Sequence, residues 1–385
     1  MFVMNDEKIP FWQDDRVLKI AIQGLVVLIL LIIISILGTN IIRNFRDLGL
    51  TFGFGFLSRP SSFGIGDTAI PYQPSDPYSR AIIVGITNTL RVIIIGIILA
   101  SLLGITAGIA RLSDNWLVQK NATIYVEVFR NTPLLLQLFF WYFAVFIKLP
   151  TAEKAIQFLG LFTFSNIGLS LPWPRNYLAL IFLLILVVLG VYLWKKRTQK
   201  LIEQSSSVQV LSGILMTILT AIILILFFGL NWQIPQFNPT ISAFEGGLTL
   251  SPELATLVIG LTFYTAAFIA EVIRAGIQSV NKGQWEAAKA LGLKPYWVMQ
   301  LIILPQALRV IIPPLTSEFL NLAKNSSLAI AIGYNDVYGI ANTIANQTGR
   351  SIEMLLILMS TYLIINLIIS TIMNKINSSV QIKER

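Results

Sequence analysis

Charged side chains inside the apolar parts of this chain are few, and they are the first candidates for chemistry. Of the 385 residues, 55% are hydrophobic and only 12% are charged. Two Glu-x-x-Arg pairs, Glu127 with Arg130 and Glu271 with Arg274, place opposite charges three residues apart on one helical face. Each pair is either an interfacial ion pair, since arginine commonly extends from a helix end to the membrane surface, or part of a gate.

A second group of polar side chains lies within or near the apolar runs. Hydroxyl and amide groups there either satisfy backbone groups or face a polar solute. Ionisable groups inside a membrane are costly, so they indicate a substrate pathway, a gate or a subunit interface, unless a neighbouring helix holds them in a structural role. The candidates are Thr262, Tyr264, Thr265, Glu318, Asn321, Lys324, Asn325, Ser326 and Ser327, with Gln137, Thr87, Asn88 and Thr89 as weaker ones.

Several common kinds of catalytic site are excluded by what the chain lacks. It contains no cysteine and no histidine, which removes thiolate metal sites, the usual zinc ligand and the usual general base. It has no G-x-x-x-x-G-K-[ST] phosphate loop, no H-E-x-x-H metal helix and no G-x-S-x-G nucleophile elbow. We therefore predict no catalytic residue, no metal and no bound cofactor. Any energy source must be an ion gradient or another subunit.

Eight apolar runs must position the polar candidates. They cover residues 20–42, 81–110, 124–147, 177–194, 208–230, 254–273, 354–373 and part of 297–333, each long enough or nearly so to span a bilayer. The chain is therefore predicted to be an all-α integral membrane protein of about eight transmembrane helices, the first of them retained. The segments 43–80 and 149–175 are predicted to be interfacial loops on the outer face.

The net charge of +9 indicates membrane orientation rather than nucleic acid binding, because the lysines and arginines lie between the apolar runs and form no single basic face. With the N-terminus inside, the cytoplasmic loops receive most of these basic residues, and the opposite loop 231–250 has none. The positive-inside rule thus places both termini and the short segment 283–292 in the cytoplasm.

Segment 283–292, GQWEAAKALG, predicts a short charged helix. Gly283 precedes its helix-forming residues, and Gly292 stands where a C-terminal cap is usual. Ten residues cover about 15 Å, half of the hydrocarbon core, so this helix does not span. Ala287, Ala288 and Leu291 are expected on one side of this helix, where small side chains would let a partner approach closely. The segment is either a docking helix or a connecting helix on the membrane surface.

The longer segment AEVIRAGIQSVNKGQWEAAKALGLKPYWVMQLIILPQALRVIIPPL closely resembles the EAA loop of ATP-binding-cassette (ABC) importer permeases. In that family, E-A-A and a glycine a few residues on are followed at a distance by I-x-L-P. The matching residues are Glu286, Ala287, Ala288 and Gly292, then Ile302 or Ile303, Leu304 and Pro305. The resemblance implies a coupling helix that fits a cleft of the ATPase subunit and passes nucleotide-driven closure to the membrane helices.

Other stretches resemble the polar amino acid branch of that family. They are YVEVFRNTPLLLQLFFWYF (125–143) and LAKNSSLAIAIG (322–333). FGFLSRPSSFGIG, VGITNTLRV (84–92) and the length of the chain resemble the broad-range amino acid permeases. The departures are Asn131 and Asn325, where relatives often have Gly and Asp, and they leave the fine substrate preference open.

The resemblance implies the type I importer (MetI-like) fold with a cytoplasmic coupling helix. The five core helices would lie at 81–110, 124–147, 254–273, 311–333 and 354–373, with 297–309 as a second arm of the coupling element. The predicted divisions are 1–80 (N-terminal tail, extra helix and outer loop), 81–148 (first part of the core), 149–250 (insertion with two extra helices), 251–375 (the rest of the core) and 376–385 (cytoplasmic tail).

The resemblance further implies a permease subunit, not an enzyme, that moves broad-range or neutral and polar L-amino acids across a bacterial inner membrane. ATP and Mg²⁺ would bind an ABC ATPase dimer. The other implied partners are a second, non-identical permease, a periplasmic amino-acid-binding protein and the lipid bilayer. The alternative is a secondary transporter driven by an ion gradient, which predicts unwound glycine-rich helices in two related halves. The sequence contains no such pair of halves.

Overall fold

The computed structural model describes residues 15–47, 52–202 and 208–381. Residues 1–14 and 382–385, which belong to the predicted cytoplasmic tails, lie outside the described residues. The chain is 74% helical, so the predicted helical membrane class is confirmed. The helices are α1 (Asp15–Asp47), α2 (Tyr78–Ala110), α3 (Trp116–Asn131), α4 (Leu134–Phe139), α5 (Tyr177–Ile202), α6 (Val208–Leu224), α7 (Pro252–Gln278), α8 (Lys282–Ala290), α9 (Pro295–Trp297), α10 (Leu304–Asn325), α11 (Val337–Thr348) and α12 (Ser351–Val380).

Seven helical segments of the described chain are long and apolar enough to cross a membrane. They contain α1, α2, α5, α6, α7, α10 and α12. The chain is therefore a multi-pass membrane protein, as the sequence predicts.

The eighth predicted span, 124–147, is present as two shorter helices, α3 and α4. Thr132 has an extended backbone (φ −106°, ψ 127°) in front of Pro133, because a proline ring disfavours the helical conformation of the residue before it and offers no N–H. The apolar helical stretch from Leu134 to Lys148 is about 22 Å long, which is less than a full hydrocarbon core.

Residues 295–332 form one helical run that passes through α10. A wide π-helical turn, Val298–Ile303, precedes α10, and a tighter 3₁₀ segment, Ser326–Ile332, follows it. The wide turn accommodates Pro305, which has no N–H to donate and whose ring clashes with the carbonyl four residues earlier in a regular α-helix. The helix therefore continues without a break from the expected coupling arm, 297–309, into the expected core helix, 311–333.

Helix α7 is the centre of the bundle, and α2 packs closely along it. Small residues recur every four positions on α2 at Ala100, Gly104 and Gly108. A Cβ atom added at Gly104 would lie 2.6 Å from Cβ of Ile269, and one at Gly108 would lie 2.8 Å from Cβ of Ile273. Such spacing of small residues is typical of membrane helices whose backbones approach closely, and the sequence analysis did not single it out.

The connections at the end of the bundle opposite α8 contain short strands that the sequence did not indicate. They are β1 (Ile156–Phe158), β2 (Phe162–Ser165), β3 (Gly168–Leu171), β4 (Trp173–Pro174), β5 (Trp232–Gln233), β6 (Gln236–Asn238), β7 (Ala243–Glu245) and β8 (Leu248–Leu250). An antiparallel sheet has the order β1-β2-β3-β8, and β4–β5 and β6–β7 form two further pairs. Leu169 pairs with Leu250, so the sheet joins the connection after α4 to the residues just before α7.

The membrane-spanning stretches of α1, α5 and α6 are apolar on all sides, and Leu211 and Ile218 of α6 are their only buried residues among those that the structure describes. Helices α5 and α6 pack against each other, with Gly190 next to Ile218, and form a hairpin. Helices that are apolar on every face are suited to contact with lipid. These three are the helices that the sequence analysis placed outside the five-helix core.

We expect Gly104→Ala to destabilise the bundle, because the added methyl group would have to displace Ile269, and overpacking of this kind costs about 1–3 kcal/mol. Gly213→Ala in α6 is the matched control, since no atom lies within 4 Å of a Cβ atom at that position. The thermal unfolding temperature of the purified chain should fall for the first variant only. Equal temperatures for both variants would contradict the close packing of α2 on α7.

Candidate functional site

Helix α8 is the short charged helix that the sequence predicts, with slightly different ends. It begins after Asn281, whose side-chain oxygen accepts a hydrogen bond of 2.8 Å from the N–H of Gly283. Gly283 therefore lies in the first turn and not in front of the helix. Asn281 is the N-cap, a position at which asparagine is favoured because it satisfies a free N–H of the first turn.

Gly292 ends α8 as its position predicts. Its φ of +69° lies in the left-handed region, which a residue without a side chain adopts at least cost. Its N–H donates to the carbonyl of Lys289 at 2.9 Å, and the N–H of Leu293 donates to the carbonyl of Ala288 at 3.2 Å. These two hydrogen bonds form a Schellman motif, so the predicted C-terminal cap is confirmed.

The two alanines of the EAA motif point in different directions. Ala288 is 1% exposed, whereas Glu286 and Ala287 are exposed. Because 3.6 residues make one turn, the two neighbouring side chains point about 100° apart, and Ala288 points into the core whereas Ala287 points outwards. The expectation that both alanines face a partner is therefore wrong for Ala288.

Ala288 belongs to a continuous apolar cluster that connects α8 with the membrane helices. On α8 and just after it, Trp285 and Leu293 pack against this cluster. Its buried members beyond α8 include Ile273 and Ile277 of α7, Val298 and Ile303 of the wide turn, Ala307, Ile311 and Leu322 of α10, and Met373 of α12. A displacement of α8 must therefore be transmitted to the membrane helices, since packed protein interiors are barely compressible.

The I-x-L-P residues lie where the chain leaves α8 for α10. Ile303 is buried in the apolar cluster, while Leu304 and Pro305 are exposed in the first turn of α10. The side-chain amide of Gln306 donates to the carbonyl of Ile302 at 2.9 Å and to Oε1 of Gln284 on α8 at 3.4 Å. This contact is a second, polar link between α8 and α10.

Glu271 is the centre of a charge cluster near the α8 end of α7. Arg111 and Arg274 both donate hydrogen bonds to its carboxylate, and Nη1 of Arg130 lies 3.6 Å from Oε2. Three guanidinium groups share this one carboxylate, which leaves the cluster with excess positive charge. Sequence spacing does not reveal the contact of Arg111 with Glu271, because 160 residues separate the two.

Glu127 takes no part in this cluster. Its side chain is exposed, and no ion pair among the described residues includes it. Arg130 instead lies over the ring of Phe268, 5.2 Å from the centroid, and interacts electrostatically with Glu318. Of the two predicted Glu-x-x-Arg ion pairs, Glu271 with Arg274 is present and Glu127 with Arg130 is not.

One face of α10 is polar and is not covered by the rest of the described chain. Ser317, Asn321 and Lys324 are exposed and recur every three or four residues, the spacing of one helical face. Glu318, Asn325 and Ser327 are partly buried, and Ser326 is buried. Because such a face is costly in contact with lipid, it must face water or another subunit.

The remaining pathway candidates are buried inside the chain to different extents. Thr262 and Thr265 of α7 are buried, and Tyr264 is partly buried with its ring 4.9 Å from that of Phe268. Gln137 is 6% exposed. Its amide donates to two carbonyls, those of Phe129 and Thr132, at 2.9 Å each, and so holds the break between α3 and α4.

The weaker candidates Asn88 and Thr89 are fully buried and hold backbone groups. The amide of Asn88 donates to the carbonyls of Asp67 and Asn335, at 2.8 and 2.9 Å. The Thr89 hydroxyl accepts a hydrogen bond of 3.0 Å from the N–H of Val337. These hydrogen bonds hold the segment before α2 and the start of α11 against α2. Asn88 and Thr89 therefore have a structural role.

Asp336 is a buried acid that the sequence analysis missed, although an Asp directly before a helix is a recognisable N-cap signal. Its Oδ1 accepts from the N–H of Gly339 at 2.8 Å, and the Tyr362 hydroxyl donates to Oδ2 at 3.2 Å. Burial raises the pKa of Asp336 to about 7, against the opposing effect of these hydrogen bonds. In the described part of the chain, no three His, Cys, Asp or Glu side chains are placed to hold a metal ion.

Comparison with known proteins agrees with this architecture. The family model of the binding-protein-dependent transport system inner membrane component matches residues 93–382. The amino-acid ABC transporter permease protein YhdX of Escherichia coli K12 is 46% identical over 94% of this chain and 94% of its own length. The general L-amino acid transport system permease protein AapQ of Rhizobium johnstonii is 40% identical over 97% of this chain and 94% of its own.

A third relative is the glutamate/glutamine/aspartate/asparagine transport system permease protein BztB of Rhodobacter capsulatus, 40% identical over 97% of this chain and 96% of its own length. The chain belongs to the family of binding-protein-dependent transport system inner membrane components. It is a permease subunit of an ABC transporter and not an enzyme, because ATP hydrolysis in such systems belongs to a separate subunit. The resemblance to amino acid permeases that the motifs indicate is thereby confirmed.

Removal of the Glu271 carboxylate should destabilise the chain. Glu271→Gln leaves three neighbouring guanidinium groups without a counter-charge, and hydrogen bonds to charged groups contribute about 1.5–3 kcal/mol each. Glu127→Gln removes an exposed carboxylate outside the cluster and is the matched control. We expect a lower thermal unfolding temperature for Glu271→Gln and little change for Glu127→Gln. A wild-type temperature for Glu271→Gln would show that the cluster contributes nothing to stability.

Proposed function

We propose that this permease and a second, non-identical permease enclose a path through which amino acids enter the cytoplasm, driven by an ABC ATPase dimer that binds ATP and Mg²⁺. The observation that carries the proposal is the position of α8. This helix presents exposed Glu286 and Ala287 on one side, and on the other side Ala288 is buried in the apolar cluster shared with α7, α10 and α12.

The exposed surface of α8 is proposed to be the contact with the ATPase. Gly283, Ala287 and Ala290 give this surface little side-chain bulk, so that a partner can approach the helix backbone. Glu286 and Lys289 are exposed and available for ion pairs with the partner. The Schellman motif at Gly292 fixes the direction in which the chain leaves this contact for α10.

The polar face of α10 is proposed to line the substrate path. An amino acid is a zwitterion, so its transfer through hydrocarbon requires a polar cavity that opens to each side in turn. Asn321 and Lys324 supply polar groups on an uncovered face, and a second permease facing them would close the cavity against lipid. Arg130 and Glu318 of this chain, together with Tyr264, are proposed to form the adjoining gate.

The substrates are proposed to be amino acids over a broad range. The names of two similar permeases, AapQ and BztB, state a general L-amino acid system and a system for four acidic and amide amino acids. A periplasmic amino-acid-binding protein is proposed to deliver the substrate on the side opposite α8, in agreement with the family description as binding-protein-dependent. We place the chain in a bacterial inner membrane with both termini in the cytoplasm, because the basic loop residues cluster on the α8 side.

Substitution of Ala287 tests the coupling surface. Ala287→Arg should lower ATP-dependent amino acid uptake in reconstituted vesicles about tenfold or more, because a bulky charged group on a close helix contact costs at least about 1.4 kcal/mol of binding. Ala287→Ser keeps the small size and should retain most of the uptake. Copurification of the ATPase should fall in parallel with uptake. Wild-type uptake by Ala287→Arg would refute the docking role of this surface.

Substitution of Lys324 tests the path. Lys324→Gln removes one positive charge, so uptake of acidic amino acids should fall at least about threefold relative to basic ones, since one nearby charge is worth about 1 kcal/mol or more. Lys375→Gln removes an exposed charge near the end of α12 and is the control. Uptake competition with acidic, neutral and basic amino acids measures the ratio. An unchanged ratio in Lys324→Gln, or an equal change in both variants, would remove Lys324 from the path.

A further inference from the structure

Helices α5 and α6 enclose a groove that the transport mechanism does not use. The groove has a volume of about 550 Å³ and is lined by both helices, including Val187 and Val191 on one wall and Leu219 and Ile222 on the other. From Val187 to Arg197 it extends over ten residues, which corresponds to about 15 Å along the helix. Its walls are apolar except at one end, where Lys195, Arg197 and Ser212 lie.

At the polar end of the groove, contacts with both helices hold the side chain of Arg197 in one orientation. Nε of Arg197 donates to Oγ of Ser212 on α6 at 2.7 Å, and its guanidinium carbon lies 5.7 Å from the ring centroid of Trp194. The Ser212 hydroxyl in turn donates to the carbonyl of Val208 at 2.8 Å. Arg197 is thus held in place, while its two terminal nitrogens donate to no group in the described part of the chain.

The positive charge at the polar end of the groove favours an anionic ligand. Between Tyr177 and Ile202, α5 contains the cations Lys195, Lys196, Arg197 and Lys200 and no acidic residue, and α6 contains no charged residue. A basic site at the membrane surface that continues into an apolar groove matches a molecule with an anionic head and hydrocarbon chains.

We propose that the groove between α5 and α6 binds an anionic phospholipid, with its phosphate on Lys195 and Arg197 and an acyl chain along Val191 and Leu219. The hairpin would thereby be attached to the surrounding bilayer through a specific lipid. Arg197 supplies a planar, two-pronged donor for the phosphate oxygens, and Ser212 orients it.

The test measures binding of phosphatidylglycerol and phosphatidylcholine to the purified full-length chain in detergent by native mass spectrometry. We expect bound phosphatidylglycerol at lipid concentrations at which phosphatidylcholine does not bind. The double variant Lys195→Gln with Arg197→Gln should weaken phosphatidylglycerol binding about tenfold or more, because it removes both cations that line the polar end of the groove. Val191→Trp, which fills the groove, should weaken it as well.

The matched control is the double variant Lys196→Gln with Lys200→Gln, which removes the same charge from the same helix end but from residues that do not line the groove. It should retain wild-type binding. Equal binding of the two lipids, or equal weakening by both double variants, would overturn the proposal and leave only general attraction to a charged bilayer. Loss of bound phosphatidylglycerol when the second permease copurifies would assign the groove to a partner helix and would also overturn it.

Discussion

The packing of α8 into the core between α7, α10 and α12 is the interaction on which the rest of the structure depends. The chain is a permease subunit of an ABC transporter, and ATP hydrolysis in such systems belongs to a separate subunit. Ala288 at 1% exposure and the half-buried Trp285 and Leu293 attach α8 to a cluster that continues along α10 as far as Ala323. A close-packed interior transmits displacement because it has little free volume in which side chains can yield.

The same core explains why polar residues are tolerated where they lie. Helix α7 is surrounded by α2, α3, α10 and other parts of the chain, and the close approach at Gly104 and Gly108 leaves no space for a polar cavity on that side. The uncovered polar face is instead on α10, and the excess positive charge is around Glu271, where α2, α3 and α7 meet near the α8 end. Both places require water or another subunit, so the chain is shaped as one part of a larger assembly.

Local signals in the sequence predicted much of the fold. Apolar runs predicted the long helices, and the glycine after Leu291 predicted the end of α8, because a left-handed C-terminal residue is a local requirement. The break at Thr132 was missed although Pro133 is visible in the sequence, since hydropathy averages over the whole run. The strands were missed because segments of two to four residues are too short to show alternation.

Contacts between distant residues limited the prediction of the candidate site. The spacing of Glu127 and Arg130 suggested an ion pair, but Arg130 faces Phe268 and Glu271 across the contact between α3 and α7. The small residues four positions apart on α2 predict a close helix contact. The sequence does not say which residues lie opposite, and the structure shows that these are Ile269 and Ile273. Sequence spacing therefore identifies which side chains share a face, and the packing of helices decides what that face meets.

The short connections at both ends of α8 link its position to the positions of α7 and α10. At its start, Asn281 caps the helix three residues after the end of α7 at Gln278. At its other end, the Schellman motif at Gly292 and Pro295 in the first turn of α9 leave few flexible residues before the wide turn and α10. Because both connections are short, α8 cannot move without moving the ends of α7 and α10 together. Since α7 carries Glu271 and α10 carries the uncovered polar face, a displacement of α8 would reach both the charge cluster and that face.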